Sequence, residues 1–279
     1  MPSPANRLWI VATPLGNPGD LSPRARRILG EVDVILAEDT RRTARLLWQC
    51  GIEAKHLLSF HDHNEKERQE HVLALLRKGA NIALVSDAGT PLVADPGYRL
   101  VRSCRAEKLP VSPLPGPSAP VAALSAAGIA PLPYAFLGFL PRDNAGRDAL
   151  FRAFAATPCT LIFFERKDRL KESLLRAAAV LGSRDLAVCR ELTKEHEEFI
   201  LGRLEEYADL PDELLGELTI IIGPPEATLR TPLHQVELYL QEEVALGGKP
   251  RQIVRRLQER VCGWNGKELY ALLRTTTLD

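Results

Sequence analysis

Short apolar runs alternate with amphipathic stretches through the first half of the chain. Residues 8–12, 33–37 and 82–85 are apolar runs too short for helices and bounded by turn residues, which predicts buried strands. Residues 40–50, 65–78 and 98–107 carry apolar positions at helical spacing. Ser22-Pro23 predicts another helix, with serine as its cap and proline in the first turn. Strands separated by helices in this order predict a parallel sheet covered on both faces.

Residues 110–120 hold five prolines and a glycine. Proline removes the helical hydrogen bond, so this stretch is no regular helix and reads as the link between domains. A small-residue helix follows at 121–127. A second alternation then begins, with strands at 134–140, 160–164, 186–190 and 218–222 and a helix over 169–181. Pro224-Pro225 closes that unit. From His234 onward the pattern is all-helical, with breaks at Gly247-Gly248 and Gly263. The chain therefore divides into an N-terminal α/β domain (1–117), a C-terminal α/β domain (118–225) and a small helical tail (226–279).

The chain has 279 residues, 36 basic and 36 acidic. Its zero net charge argues against coating nucleic acid by bulk electrostatics. The balance hides opposed patches: residues 190–217 carry 3 Lys/Arg against 10 Asp/Glu, and residues 249–279 carry 7 against 3. These read as two solvated helical faces, and a charge split alone proves no partner. No apolar run is long enough to span a membrane, and no signal-peptide core is present, so the expectation is a cytoplasmic protein with no membrane partner. Cys50, Cys104, Cys159, Cys189 and Cys262 form no CxxC pair and read as small buried hydrophobes, with no disulfide framework and no metal site.

Chemistry is concentrated in loops that follow strands, where open α/β sheets bind ligands. The first is Thr13-Pro14-Leu15-Gly16-Asn17-Pro18-Gly19-Asp20. It lacks both GxGxxG spacing and a P-loop lysine, and reads either as a ligand loop or as a rigid turn. The second, residues 85–97, contains Asp87, Gly89, Thr90, Val93 and Asp95. Its carboxylates suit ligand hydroxyls or an amine, or equally the capping of turns. The third, Pro113-Leu114-Pro115-Gly116-Pro117-Ser118-Ala119, places Ser118 as a helix cap or a ligand contact. His61-Asp62-His63-Asn64-Glu65 offers two imidazoles without a third metal ligand, or a helix start capped by Asn64 or Asp62. Glu38-Asp39-Thr40-Arg41-Arg42 caps a helix or offers arginines to phosphate. No GxSxG elbow and no HExxH are present.

Taken in order, these loops resemble the tetrapyrrole-methylase-like (class III) methyltransferase superfamily. The matching segments are 11–21, 37–46, 59–67, 83–97, 113–119, 138–142, 190–198 and 216–222, with Gly266-Lys267-Glu268-Leu269-Tyr270-Ala271-Leu272 in the tail. Gly89-Thr90-Pro91 stands where other members carry a GDP tripeptide. Many relatives read FYE-x-PHR near the middle. This chain has Phe163-Phe164-Glu165-Arg166-Lys167-Asp168-Arg169, with Lys-Asp in place of the Pro-His pair.

The resemblance implies two α/β domains with S-adenosylmethionine in the cleft between them, and a homodimer. The branch it is most similar to implies 2'-O-methylation of a cytidine ribose in the decoding region of 16S rRNA, inside the small ribosomal subunit. The cofactor residues implied are Pro14, Leu15, Gly16, Asp87, Gly89, Thr90, Val93, Asp95, Ser118, Ala119 and Leu140. The candidates for taking the ribose proton are Asp87, Glu165, Glu38 and His61. Local charge nominates Arg24, Arg26, Arg27, Arg41, Arg42, Arg142, Lys249, Arg251, Arg255 and Arg256 as RNA contacts. Two competing readings are a methyltransferase for a tetrapyrrole or corrinoid precursor, and a non-catalytic ribosome-assembly adaptor.

Overall fold

The structure is a computed structural model that describes residues 6–53, 55–211, 213–225 and 231–276. The first unit is a five-stranded sheet in the order β3-β2-β4-β1-β5. Its strands are β1 (Leu8–Val11), β2 (Val34–Ala37), β3 (Leu57–Ser59), β4 (Ile82–Val85) and β5 (Val111–Leu114), all parallel. Because β2 and β4 are buried along their whole length, they carry no polar alternation.

Helices cover both faces of this sheet. On one side α1 (Pro23–Glu31) and α2 (Thr40–Gln49) pack Ala25, Ile28, Leu29 and Leu47 against Val11, Ile35 and Val85. On the other, α3 (Glu65–Arg77) and α4 (Tyr98–Ala106) pack Val72, Leu73, Leu76 and Leu100 against Leu8, Leu36 and Leu84. Ser22 caps α1 as expected, its side chain accepting from the Ala25 N–H. Asn64 sits at the N-cap of α3 but makes no capping bond. Its Oδ1 accepts from the His61 N–H at 2.8 Å, so it braces the loop before the helix.

The proline-rich stretch is not simply a link. Residues 111–114 form β5, with Pro113 opposite Ile10. A strand tolerates proline there because β5 is an edge strand, with one neighbour only.

The second unit begins with α5 (Ala119–Ala126) and holds a five-stranded sheet in the order β6-β7-β10-β8-β9. Its strands are β6 (Tyr134–Phe139), β7 (Thr160–Glu165), β8 (Asp185–Arg190), β9 (Glu198–Arg203) and β10 (Leu218–Ile222). Only β6 and β7 are parallel; the other pairs are antiparallel. One face is covered by α6 (Asn144–Phe154) and α7 (Leu170–Leu181) around Phe151, Phe163 and Leu174. The other face receives Ala123 and Leu124 of α5. Leu15, from the loop after β1, also packs there and joins the two units.

The acidic stretch 190–217 is not a helical face. It forms β9 and a 3-10 turn over Leu204–Asp209, with Arg203 bridging Asp185 and Glu205.

The tail forms α8 (Leu233–Ala245), α9 (Pro250–Arg260) and α10 (Gly266–Thr276), closed around Val236, Leu240, Leu257 and Leu269. The expected start of the tail at residues 226–230, its end at 277–279, and residues 1–5 of the first unit lie outside the described residues. Four cysteines are buried, but Cys262 is exposed, against expectation. Among the described residues no helix is long and apolar enough to cross a membrane.

Candidate active site

The loops after β1, β2, β4 and β5 leave the same end of the sheet. These strands are contiguous in the sheet, so their loops converge. Thr13 and Gly89 exchange main-chain hydrogen bonds of 2.8 and 3.0 Å, which ties the first loop to the second. The Thr90 hydroxyl donates to the Pro117 carbonyl at 2.9 Å, tying the second loop to the third. Gly89 needs its flexibility: its φ is +79°, and a Cβ there would come within 3.2 Å of Leu15. Leu92, in the same loop, holds a φ of +72° without being glycine, a strain that surrounding packing must sustain.

A cavity of about 550 Å³ opens between these loops and the second sheet. The first unit contributes Leu15, Glu38, Asp87, Gly89, Thr90, Val93 and Asp95. The second contributes Ser118, Ala119, Phe139, residues 164–168 and residues 216–219. Ten of the residues nominated from sequence are thus brought to one cavity: Leu15, Glu38, Asp87, Gly89, Thr90, Val93, Asp95, Ser118, Ala119 and Glu165. Pro14, Gly16, Leu140 and His61 do not line it. Leu140 is 3 % exposed and belongs to the hydrophobic core beneath α6 and α7. Pro14 is buried, and Gly16 lies under the stem of Lys194. His61 leaves its Nδ1 buried without a partner, and its Nε2 lies 3.3 Å from the Asn64 amide.

Carboxylates line the cavity on both sides. Burial, and then the neighbouring charges of Asp87 and Asp95, push the Glu38 carboxyl above the usual glutamate range. Burial likewise raises Asp95, with Asp87 and Asp62 adding to it and the Ser86 hydroxyl opposing. Asp87 is held differently: Oδ1 accepts the Asp39 N–H at 3.1 Å and Oδ2 pairs with Arg42 at 3.1 Å. Glu165 is spoken for. Its Oε1 accepts the Arg166 N–H at 2.8 Å, and its Oε2 accepts from Ser173 at 2.6 Å and Arg169 at 3.2 Å. Its side chain is 1 % exposed, and both of its oxygens accept hydrogen bonds within the wall. On the same side, the cations Arg166 and Lys167 stand among the carboxylates of Asp168 and Glu217, and Arg166 pairs with Asp168 at 3.1 Å.

The residues nominated for RNA separate into a group with exposed side chains and a group held by other residues. Arg41, Arg142, Lys249, Arg251 and Arg255 have exposed side chains. Arg27 pairs with Glu31, Arg24 lies over the Trp9 ring, and Arg26 donates to the Cys50 carbonyl. Arg42 is bound to Asp87. Arg256 donates to Glu243 at 2.6 Å and to the carbonyls of Glu243 and Gly247, so it holds α8 to α9. Phe139, Phe164 and residues 216–219 fall in segments that carry the resemblance, but they are not among the site residues nominated from sequence. They come from the second sheet, where no turn motif marks them. Among the described residues no cluster of three metal-ligating side chains occurs.

Comparison with known proteins agrees with this architecture. The family described as Tetrapyrrole (Corrin/Porphyrin) Methylases matches residues 7–208. A protein of Micromonospora olivasterospora named Ribosomal RNA small subunit methyltransferase I is 43% identical over 274 residues, 97% of this chain and 87% of the relative. One of the same name from Escherichia coli O157:H7 is 44% identical over 257 residues, 87% of this chain and 90% of the relative. The uroporphyrin-III C-methyl transferase of Thermus thermophilus, solved with S-adenyl homocysteine, superposes with a TM-score of 0.56 at 21% identity, covering 78% of this chain and 97% of that one. With the family matched across most of its length and relatives above 40% identity spanning nearly all of it, the chain belongs to the tetrapyrrole methylase family.

Proposed function

We propose that this protein transfers the methyl group of S-adenosylmethionine to the 2'-hydroxyl of a cytidine ribose in the decoding region of 16S rRNA, within the small ribosomal subunit. It does so as a cytoplasmic homodimer. The target class follows the name shared by its relatives. The observation that carries the chemistry is the cavity lining itself: the carboxylates of Glu38, Asp87 and Asp95 beside the apolar surface of Leu15, Val93 and Ala119.

The residues present fit this methyl donor. Its sulfonium and ammonium are cations, and the carboxylate wall complements them. Leu15, Val93 and Ala119 offer apolar surface to an adenosyl group, and Gly89 lets the main chain approach closely. When bound, S-adenosylmethionine supplies an electrophilic methyl group, so positioning of the nucleophile carries much of the rate.

A ribose hydroxyl becomes an effective nucleophile only as it loses its proton. Glu38 is the group placed to take it. It lines the cavity, and its raised affinity for protons suits a base. No ion pair holds it among the described residues. Asp87 is engaged by Arg42 and Asp39, and positions the loop beside Glu38. Arg166 and Lys167 meet phosphates flanking the target ribose, fixing the nucleotide without reading its base.

The test is mass-spectrometric mapping of 16S rRNA from cells with and without the protein, paired with labelled methyl transfer to purified small subunits. Loss of one decoding-region 2'-O-methylcytidine is the expected result. An unchanged map, subunit binding without methylated product, or label entering a tetrapyrrole precursor instead overturns the proposal.

A further inference from the structure

The segment joining β8 to β9, residues 191–197, is used by nothing in the chemistry above. It is nevertheless strained. Glu191 (φ 50°) and Thr193 (φ 64°) both take the left-handed conformation without being glycine. Such strain persists only where the surrounding structure over-determines it. Here the restraints are polar and reciprocal. Glu191 Oε1 accepts from Lys194 Nζ at 2.9 Å and from the Glu217 N–H at 2.9 Å. Lys194 Nζ also donates to Glu217 Oε2 at 3.0 Å.

Glycines frame this triad on both sides. Gly216 has a φ of +102°, and a Cβ there would overlap the Glu191 carboxylate. Across the boundary between the units, a Cβ on Gly16 would overlap Cγ of Lys194. The lysine stem therefore lies on the main chain of the first loop while its ammonium is anchored in the second unit. Both ends of this connection adjoin the cavity: Leu15 precedes Gly16, and Gly216 and Glu217 line the wall. The Lys194–Glu191 pair is more than a solvated surface bridge, because its side chains are 28 % and 21 % exposed, while Glu217 joins it from the solvent side.

We propose that Lys194 is a positioning residue: held by Glu191 and Glu217, and laid over Gly16, it fixes the loop of residues 13–20 against the second unit and so sets the fit of the cavity to its adenosyl ligand. The identity of that ligand rests on the methyl-donor reading above.

The test uses the full-length protein, its affinity for S-adenosylhomocysteine by calorimetry, and amide hydrogen exchange without ligand. Lys194→Met keeps the stem and loses the charge; it should weaken binding by about tenfold, the scale of one charge-assisted hydrogen bond. It should also speed exchange across residues 15–19 while leaving β1 and β10 protected. Lys194→Arg should recover most of the affinity. Gly16→Ala should weaken binding by displacing the lysine. In a Lys194→Ala background the same change should add nothing, since the two act through one interaction. Unchanged affinity in Lys194→Met, or additive losses in the Gly16→Ala/Lys194→Ala double variant, overturns the proposal. If the unaltered protein does not bind S-adenosylhomocysteine, the methyl-donor reading fails. Exchange at residues 15–19 then decides the role of Lys194: faster exchange in Lys194→Met supports it, and unchanged exchange overturns it.

Discussion

Asp87, in the loop after β4 that lines the cavity, is held by Arg42 in the first turn of α2, with Oδ2 lying 3.1 Å from Nη1. The pair controls the field felt by Glu38, because the Asp87 charge is foremost among those that raise the Glu38 carboxyl. Arg42→Ala leaves the Asp87 charge uncompensated. It should therefore raise Glu38 further and shift the acid limb of the methyl-transfer rate to higher pH. The stability cost should stay within about 1 kcal/mol, since Arg42 is mostly exposed and solvent screens the pair. A pH–rate profile of kcat/KM, with a parallel melting curve, checks both.

Glu38→Gln separates activity from stability. Removing a general base should lower kcat by roughly 10²–10⁴-fold. Stability should move the other way. Glu38 binds its proton more tightly folded than unfolded, chiefly because burial disfavours the charge. That contribution is fully present below the unfolded pKa and is lost as pH rises through the folded one. At neutral pH the folded enzyme therefore bears the cost of a buried charge, which glutamine removes. The variant should melt above the parent at pH 7, and the difference should shrink as the pH falls into the carboxylate range. A variant that melts lower at pH 7 contradicts the assignment of strain to Glu38.

What the sequence made legible, and what it did not, follows from where each feature stores its information. The loop after β4 was readable because an uninterrupted apolar strand runs directly into Ser86, Asp87, Gly89 and Pro91. β5 was not, because Pro113 is tolerated only on a sheet edge, and edge position is a tertiary property. β3 is three residues long, and β9 carries both charge and glycine, so neither shows a clear period. Glu165 looked chemical because it stands beside cations in a motif. In the fold, Ser173 and Arg169 donate to its Oε2 and the Arg166 N–H to its Oε1, and Ser173 comes from a helix eight residues on. The cavity wall at residues 216–219 depends on antiparallel pairing of β10 with β7 and β8, which no local pattern encodes.

Glu165 gives the matching structural prediction. Its carboxylate is buried and satisfies the Arg169 guanidinium, the Ser173 hydroxyl and the Arg166 N–H. Glu165→Ala strands those donors and should cost about 3–5 kcal/mol, the range for breaking one side of a buried pair. Ser173→Ala removes a single bond and should cost about 1–2 kcal/mol. Denaturant midpoints measure both. A Glu165→Ala protein with unchanged stability but no methyl transfer would restore this residue to the catalytic list.

The tail tests whether its positive charge meets RNA, and the structure separates the candidates. Arg251 and Arg255 project from α9 with exposed side chains, and Arg255 approaches Glu259 no closer than 4.0 Å. Arg256, one residue on, is bound to a Glu243 side chain that is 6 % exposed. Reversing charge therefore has opposite signatures at neighbouring positions. Arg251→Glu with Arg255→Glu should leave the melting temperature unchanged and weaken association with small subunits. For every phosphate that goes unneutralised, the salt dependence of binding should also flatten by roughly one unit of log K against log salt. Arg256→Glu sets a second carboxylate beside Glu243, which keeps only its 2.9 Å pair with Arg260, and should destabilise the tail by about 1–3 kcal/mol. Its binding loss should accompany unfolding of the tail, visible as a weaker helical signal. If the double reversal leaves both affinity and salt slope unchanged, α9 does not touch the RNA. Recognition then rests on Arg41 and Arg142 with the cations at the cavity edge.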